Sequence, residues 1–114
     1  ELILGDLNGY VDWGYAEEFM EIAKKINESN FSDDFVVGTG VLTKVEDFVK
    51  IAFNKADLNW SDYVKISDQF KRPVPTGTLC ADTSKLERKL SIKPEVLIDD
   101  LISIMLESDL KNVR

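Results

Sequence analysis

Apolar and polar positions along the chain follow two spacings, and the switches between them mark out the elements. Leu2 to Leu4 is a short apolar run closed by Gly5-Asp6 and Asn8-Gly9, which reads as a strand running into a loop. From Tyr15 the spacing turns helical. Phe19, Ile22, Ala23 and Ile26 recur every three or four residues, while Glu17, Glu18, Glu21, Lys24 and Lys25 fall on the other side. After a polar stretch over 27–34, Phe35-Val36-Val37 is apolar and ends at Gly38-Thr39-Gly40, which predicts a buried strand. Thr43 and Glu46 have the spacing of a capping box, and Val45, Phe48, Val49, Ala52, Phe53 and Ala56 trace one helical face behind it.

The second half is more broken. Tyr63 to Ile66 alternates weakly, with Val64 and Ile66 on one side of a further strand. Pro73, Pro75 and Gly77 make Arg72 to Gly77 an extended loop, because proline holds itself and the residue before it away from helical angles. Leu79 to Ala81 predicts a short strand. Asp82 occupies an N-cap position ahead of a brief helix carrying Leu86 and Leu90 on one face. Pro94 suits the first turn of a last helix, whose buried stripe is Leu97, Leu101, Ile104 and Met105. The order is that of an α/β chain whose strands are too few and too short for an independent doubly wound sheet.

Composition narrows what such a chain can do. Its 114 residues accommodate one domain, or a piece of one, and 44% hydrophobic with 31% charged residues describes a folded chain rather than a disordered one. No apolar run approaches the roughly 20 residues of a bilayer span. Fourteen Lys and Arg against 21 Asp and Glu leave a net charge of -7, with the basic residues scattered, which disfavours nucleic acid as a partner. Cys80 is the single cysteine and histidine is absent, so an internal disulfide, a Cys-rich zinc site and any mechanism using a His base within this chain are all excluded. A reducing, cytoplasmic setting fits. Glu1-Leu2-Ile3-Leu4 has no basic segment and no cleavage pattern, and reads as a cut inside a longer chain rather than a signal peptide.

Three groups of residues could carry chemistry. The acidic residues Glu17, Glu18, Glu21, Asp33, Asp34, Asp99 and Asp100 lie on helix faces or in a turn and lack the alternating oxygen ligands of a calcium loop, so no metal site is expected. Gly38-Thr39-Gly40 sits between a strand and a helix and is either a structural turn or a phosphate cradle; it lacks the third glycine of a dinucleotide fingerprint. Lys71-Arg72-Pro73 places a guanidinium fork at the mouth of a rigid loop. Such a fork can grip a diphosphate, or can simply be solvated.

Several segments resemble a known family in order along the chain. Leu4-Gly5-Asp6-Leu7-Asn8-Gly9 and Asp12-Trp13-Gly14-Tyr15-Ala16 resemble a strand end leading to an Asp-Trp-Gly-His-Ala helix start. Asp34 to Gly40 resembles Asp-Phe-Val-Ile-Ala-Thr-Gly, and Thr43 to Phe53 resembles the helix that follows it. Phe70-Lys71-Arg72-Pro73 and the stretch from Asp82-Thr83-Ser84-Lys85-Leu86 to Lys93-Pro94 resemble two later motifs. Together they are similar to GDP-mannose 4,6-dehydratases, within the extended short-chain dehydrogenases that include nucleotide-sugar epimerases.

That resemblance implies a small mixed α/β C-terminal substrate-binding domain over residues 1–114, without the Rossmann domain. It implies a parent lyase that binds NADP or NAD in a missing N-terminal domain, with catalytic Thr, Tyr and Lys there. This chain has no Tyr-x-x-x-Lys, since Gly14, Phe19 and Ser67 stand four residues after Tyr10, Tyr15 and Tyr63, so no catalytic residue is expected here and the piece alone is expected to be inactive. Substrate-binding roles fall to Arg72, with its neighbour Lys71, and to Asp12 and Trp13, for which helix capping and core packing are the alternatives. The implied partners are GDP-mannose or another nucleotide sugar, the missing Rossmann domain and further copies of the enzyme. Tyr10-Val11 replace the family's Lys-Arg, and Val74-Pro75-Thr76-Gly77 replace Thr-Glu-Val-Asp. A related epimerase or reductase, or a non-catalytic binding module, is compatible with the same features.

Overall fold

The computed structural model describes residues 1–72 and 78–113. The extended loop expected at Arg72 to Gly77 therefore lies, beyond Arg72 itself, outside the described residues. The chain is mixed α/β. Strand β1 (Leu2–Leu4) pairs in parallel with β4 (Val64–Ile66), Leu2 opposite Val64 and Leu4 opposite Ile66. A second, antiparallel pair joins β2 (Tyr10–Val11) to β3 (Thr43–Lys44), with Tyr10 opposite Lys44. Helices α1 (Ala16–Glu28), α2 (Val45–Lys55), α3 (Ser84–Leu90) and α4 (Ile98–Asn112) supply the rest, with single 3₁₀ turns at Trp60–Asp62 and Asp68–Phe70.

Each helix contributes to a thin core. Ile22 of α1, Val49 of α2, Leu86 of α3, and Leu101 and Ile102 of α4 are its buried apolar residues among those described. Helix α2 packs along α4, and the Lys55 ammonium reaches Asp99 at 2.9 Å across that contact. The radius of gyration is 16.9 Å, against about 13 Å for a compact domain of this length. Much apolar surface is consequently left open, including Leu2, Ile3 and Ile66 on the parallel pair.

Several expectations are corrected. Phe35-Val36-Val37 and Leu79 to Ala81 are not strands: neither is paired, Val36 is 53% exposed and Leu79 is 84% exposed. Without a neighbouring strand, β-branched composition alone cannot make one. The Thr43–Glu46 capping box does not form either. Thr43 is drawn into β3 opposite Val11, Lys44 becomes the N-cap residue, and the Glu46 carboxylate turns to Lys44 and Lys50. Thr83, not Asp82, is the N-cap of α3, although Asp82 Oδ1 accepts the Ser84 N–H at 3.0 Å.

Pro94 does not open α4. The N–H groups of Glu95 and Val96 donate instead to the Glu18 carboxylate, at 2.6 and 3.2 Å, and hold the chain out of helix until Ile98. This later start also shifts the buried stripe, which runs through Leu101 and Ile102 and leaves Leu97, Ile104 and Met105 exposed. In α1, Ile22 is buried as expected and Ala23 is exposed.

Candidate functional site

The parallel pair decides where a ligand could sit. Beyond the carboxyl end of β1 the chain turns through Gly5-Asp6-Leu7-Asn8, and beyond that of β4 it turns through Asp68–Phe70 to Lys71. The two exits are locked together. Ser67 N–H donates to Leu4 C=O at 2.9 Å, and Gly5 lies so close to Phe70 that a Cβ there would come within 2.1 Å of the Phe70 carbonyl oxygen. Only glycine permits that approach.

Between these exits and the start of α2 is an open groove of about 510 Å³ lined by Asp6, Leu7, Asn8, Glu46, Ile66 and Lys71. Its α2 side is held by a short zipper: Glu46 N–H donates to Leu7 C=O at 3.0 Å and Val45 N–H to Gly9 C=O at 2.9 Å, continuous with the β2–β3 pairing. The Glu46 carboxylate holds the Lys44 and Lys50 ammoniums, each at 2.7 Å, and Lys50 also lies 5.6 Å from the Trp60 ring centroid. Hydrogen bonds from Lys44 and then Lys50 lower the Glu46 pKa to about 2, and the same contact with Glu46 raises that of Lys44. On the β4 side the Lys71 ammonium pairs with Asp68 at 2.5 Å, which raises the Lys71 pKa and lowers that of Asp68.

The four residues singled out in the sequence separate into two pairs. Lys71 lines the groove, and Arg72, exposed, follows it directly. Asp12 and Trp13 lie on internal contacts instead. The Trp13 ring packs at 4.9 Å, tilted, on Phe48 of α2. Asp12 Oδ1 accepts from the Thr39 N–H at 3.0 Å and from the Thr39 hydroxyl, while Oδ2 accepts from the N–H groups of Gly40 at 2.9 Å and Ala81 at 3.1 Å. Partial burial pushes the Asp12 carboxyl up, but the donors on Thr39, Ala81 and Gly40 outweigh it and hold the pKa below the usual aspartate value.

This network also answers the question left open at Gly38-Thr39-Gly40. The amides that would cradle a phosphate already bind a carboxylate of the same chain, so the turn does not fit a dinucleotide. Gly38 is there for packing: a Cβ on it would lie 2.3 Å from the Ala81 Cβ. Among the described residues no group of three or more His, Cys, Asp or Glu is placed to hold a metal ion. Sequence reasoning missed Asp6, Leu7, Asn8, Glu46 and Ile66 as groove residues. The available signal was the pair of turns closing two short strands, but it has meaning only once those strands are known to be parallel neighbours.

A family model described as GDP-mannose 4,6 dehydratase matches residues 1–105. The chain belongs to this GDP-mannose 4,6 dehydratase family. Two relatives from Arabidopsis thaliana agree: GDP-mannose 4,6 dehydratase 2 is 35% identical over 97% of this chain and 30% of its own length, and GDP-mannose 4,6 dehydratase 1 is 32% identical over 97% and 31%. The chain thus spans about a third of the length of these dehydratases. Two solved structures share the fold. UDP-glucose 4-epimerase from Bifidobacterium longum, in complex with NAD+ and UDP, superposes with a TM-score of 0.79 at 23% identity, covering 92% of this chain and 31% of the other. RMD from Pseudomonas aeruginosa, complexed with NADPH, gives 0.81 at 14% identity, covering 98% and 36%. Among the described residues no helix is long and apolar enough to cross a membrane.

Proposed function

We propose that residues 1–114 are the C-terminal nucleotide-sugar-binding part of a longer GDP-mannose 4,6-dehydratase, the lyase that converts GDP-mannose to GDP-4-keto-6-deoxymannose. The observation that carries this reading is the position of Lys71 and Arg72. They follow the carboxyl end of a parallel strand at the edge of a groove, the place where α/β sheets bind their ligands. Arg72 would grip the diphosphate with its planar fork, Lys71 would add a point charge, and Leu7 and Ile66 would give an apolar floor beside the polar groups of Asp6 and Asn8.

Hydride transfer and water elimination belong, on this reading, to residues outside this chain. So does NADP, since the Gly38-Thr39-Gly40 turn is filled by Asp12. The remainder of the enzyme would cover the exposed Leu2, Ile3 and Ile66, because parallel strands are ordinarily buried on both faces. Assembly into a homo-oligomer in a reducing cytoplasm, where the exposed Cys80 stays a thiol, completes the picture.

The test is Arg72→Ala in the full-length enzyme. Calorimetric titration with GDP-mannose is expected to show binding weaker by about 1 to 3 kcal/mol, the loss typical of a charge-assisted contact. Unchanged affinity would refute the assignment.

A further inference from the structure

Between α1 and β3, residues 29–42 form neither helix nor strand, and among the described residues no backbone–backbone hydrogen bond reaches any of 30–38. Side-chain contacts place this segment, at two points. Its far end is tied to Asp12 through Thr39 and Gly40. Its middle lies on α3, where the Asp33 carboxylate accepts from the Lys85 ammonium at 2.5 Å through Oδ1 and from the Lys89 ammonium at 2.7 Å through Oδ2. The two lysines are four residues apart and so share one face of the helix. Each also meets a ring of the segment: the Lys85 nitrogen lies 5.5 Å from the Phe35 centroid and the Lys89 nitrogen 5.5 Å from that of Phe31. Phe35, Lys85, Asp33, Lys89 and Phe31 thus alternate ring, cation and carboxylate in a single clasp.

The two ties differ in strength and in access to solvent. Asp12 is partly buried and accepts from the backbone N–H groups of Thr39, Gly40 and Ala81, which are fixed in place. Asp33 is 28% exposed, and apart from the neighbouring Asp34 N–H its donors are ammonium groups on flexible stems. Dissolved salt therefore weakens the Asp33 tie far more than the Asp12 tie. Acid is the poorer trigger, because the hydrogen bonds from Lys85 and Lys89 hold the Asp33 carboxyl far below the usual carboxylate range. Ala81 also leads into α3, so the segment and the approach to α3 meet at Asp12 and again at Asp33. The first meeting point is a hinge and the second a latch.

We propose that residues 29–37 are a strap, hinged at Asp12 and latched onto α3 by Asp33, which opens as ionic strength rises while the core stays folded. Opening frees the α3 face that carries Lys85 and Lys89, together with the Phe35 ring, half-buried when the strap is closed. A segment with no backbone pairing among the described residues and little buried surface is the kind that opens locally, ahead of the elements around it. The device is independent of what the groove beyond β1 and β4 binds.

Limited digestion of the full-length enzyme with chymotrypsin tests this, with cuts after Phe31 and Phe35 mapped by mass spectrometry and a peptide substrate correcting for the effect of salt on the protease. Between about 50 mM and about 1 M NaCl, wild-type cleavage at these two sites is expected to rise about 5-fold, following the open population. Asp33→Asn should be cut about 5- to 10-fold faster at low salt and should lose the salt response, while Asp33→Glu keeps most of the resistance. The pair Lys85→Gln and Lys89→Gln should match Asp33→Asn, and adding Asp33→Asn to that pair should change nothing further. Unchanged cleavage of Asp33→Asn at low salt would overturn the latch, as would an equal acceleration by Asp33→Asn in the double-glutamine background. Cuts spread over the whole chain with a matching fall in Tm would overturn local opening in favour of global unfolding.

Discussion

Asp12 offers the sharpest test of how the fold is held. Its carboxylate is the common acceptor for the Thr39 N–H and hydroxyl, the Gly40 N–H and the Ala81 N–H, so one side chain ties three distant segments together. Hydrogen bonds to a charged group contribute about 1.5 to 3 kcal/mol each, but four donors on one carboxylate do not add, and water can replace the one from exposed Gly40. About 3 kcal/mol is the reasoned cost of Asp12→Ala. For a chain of 114 residues the unfolding entropy is about 0.24 kcal/mol/K, which converts that cost to a fall in Tm of about 12 °C by circular dichroism.

Thr39→Val, which removes only the hydroxyl donor, should cost about 1 kcal/mol. Asp12 also predicts a pH dependence. Its folded pKa lies below the unfolded value of about 3.9, so its contribution is complete above that pH and is lost as pH falls through the folded value. Acidification below about pH 4 should therefore narrow the stability gap between wild type and Asp12→Asn. A Tm drop of under about 2 °C for Asp12→Ala, the size expected of an ordinary surface substitution, would refute this account of the network.

Two further substitutions probe the packing. Leu86 is completely buried, and Leu86→Ala should lower the unfolding free energy in urea by about 2 to 5 kcal/mol; a loss below about 1 would mean that the site collapses to fill the cavity or that α3 is not docked as described. Gly38→Ala sets a methyl 2.3 Å from the Ala81 Cβ, so it should cost about 1 to 3 kcal/mol, and neutrality in the same titration would show that the two segments do not approach this closely.

The helices were legible because their signals are local. Phe19, Ile22 and Ile26, or Val45, Phe48, Val49, Ala52 and Phe53, announce a buried face through spacing alone, and the structure puts α1 and α2 there. Terminal details were less legible, since competing partners decide them. Glu18 withdraws the amides of Glu95 and Val96 from α4, and β2 takes Thr43 from the capping box. Strand composition at Phe35-Val36-Val37 misled for the same reason, because a strand exists only beside another strand.

Lys71 and Arg72 could be singled out from residue type and a neighbouring proline, and Asp12 and Trp13 from their place in a motif. What no linear reading supplies is the pairing of β1 with β4 across sixty residues, which brings Asp6, Leu7 and Asn8 to the same groove as Ile66 and Lys71. Tertiary structure alone also turned Asp12 inward to its four donors and set Lys44 and Lys50 on Glu46. Periodicity records which side of an element avoids water, a property of nearest neighbours in sequence. A binding site depends on which elements meet, and that is decided by the free energy of the assembled chain.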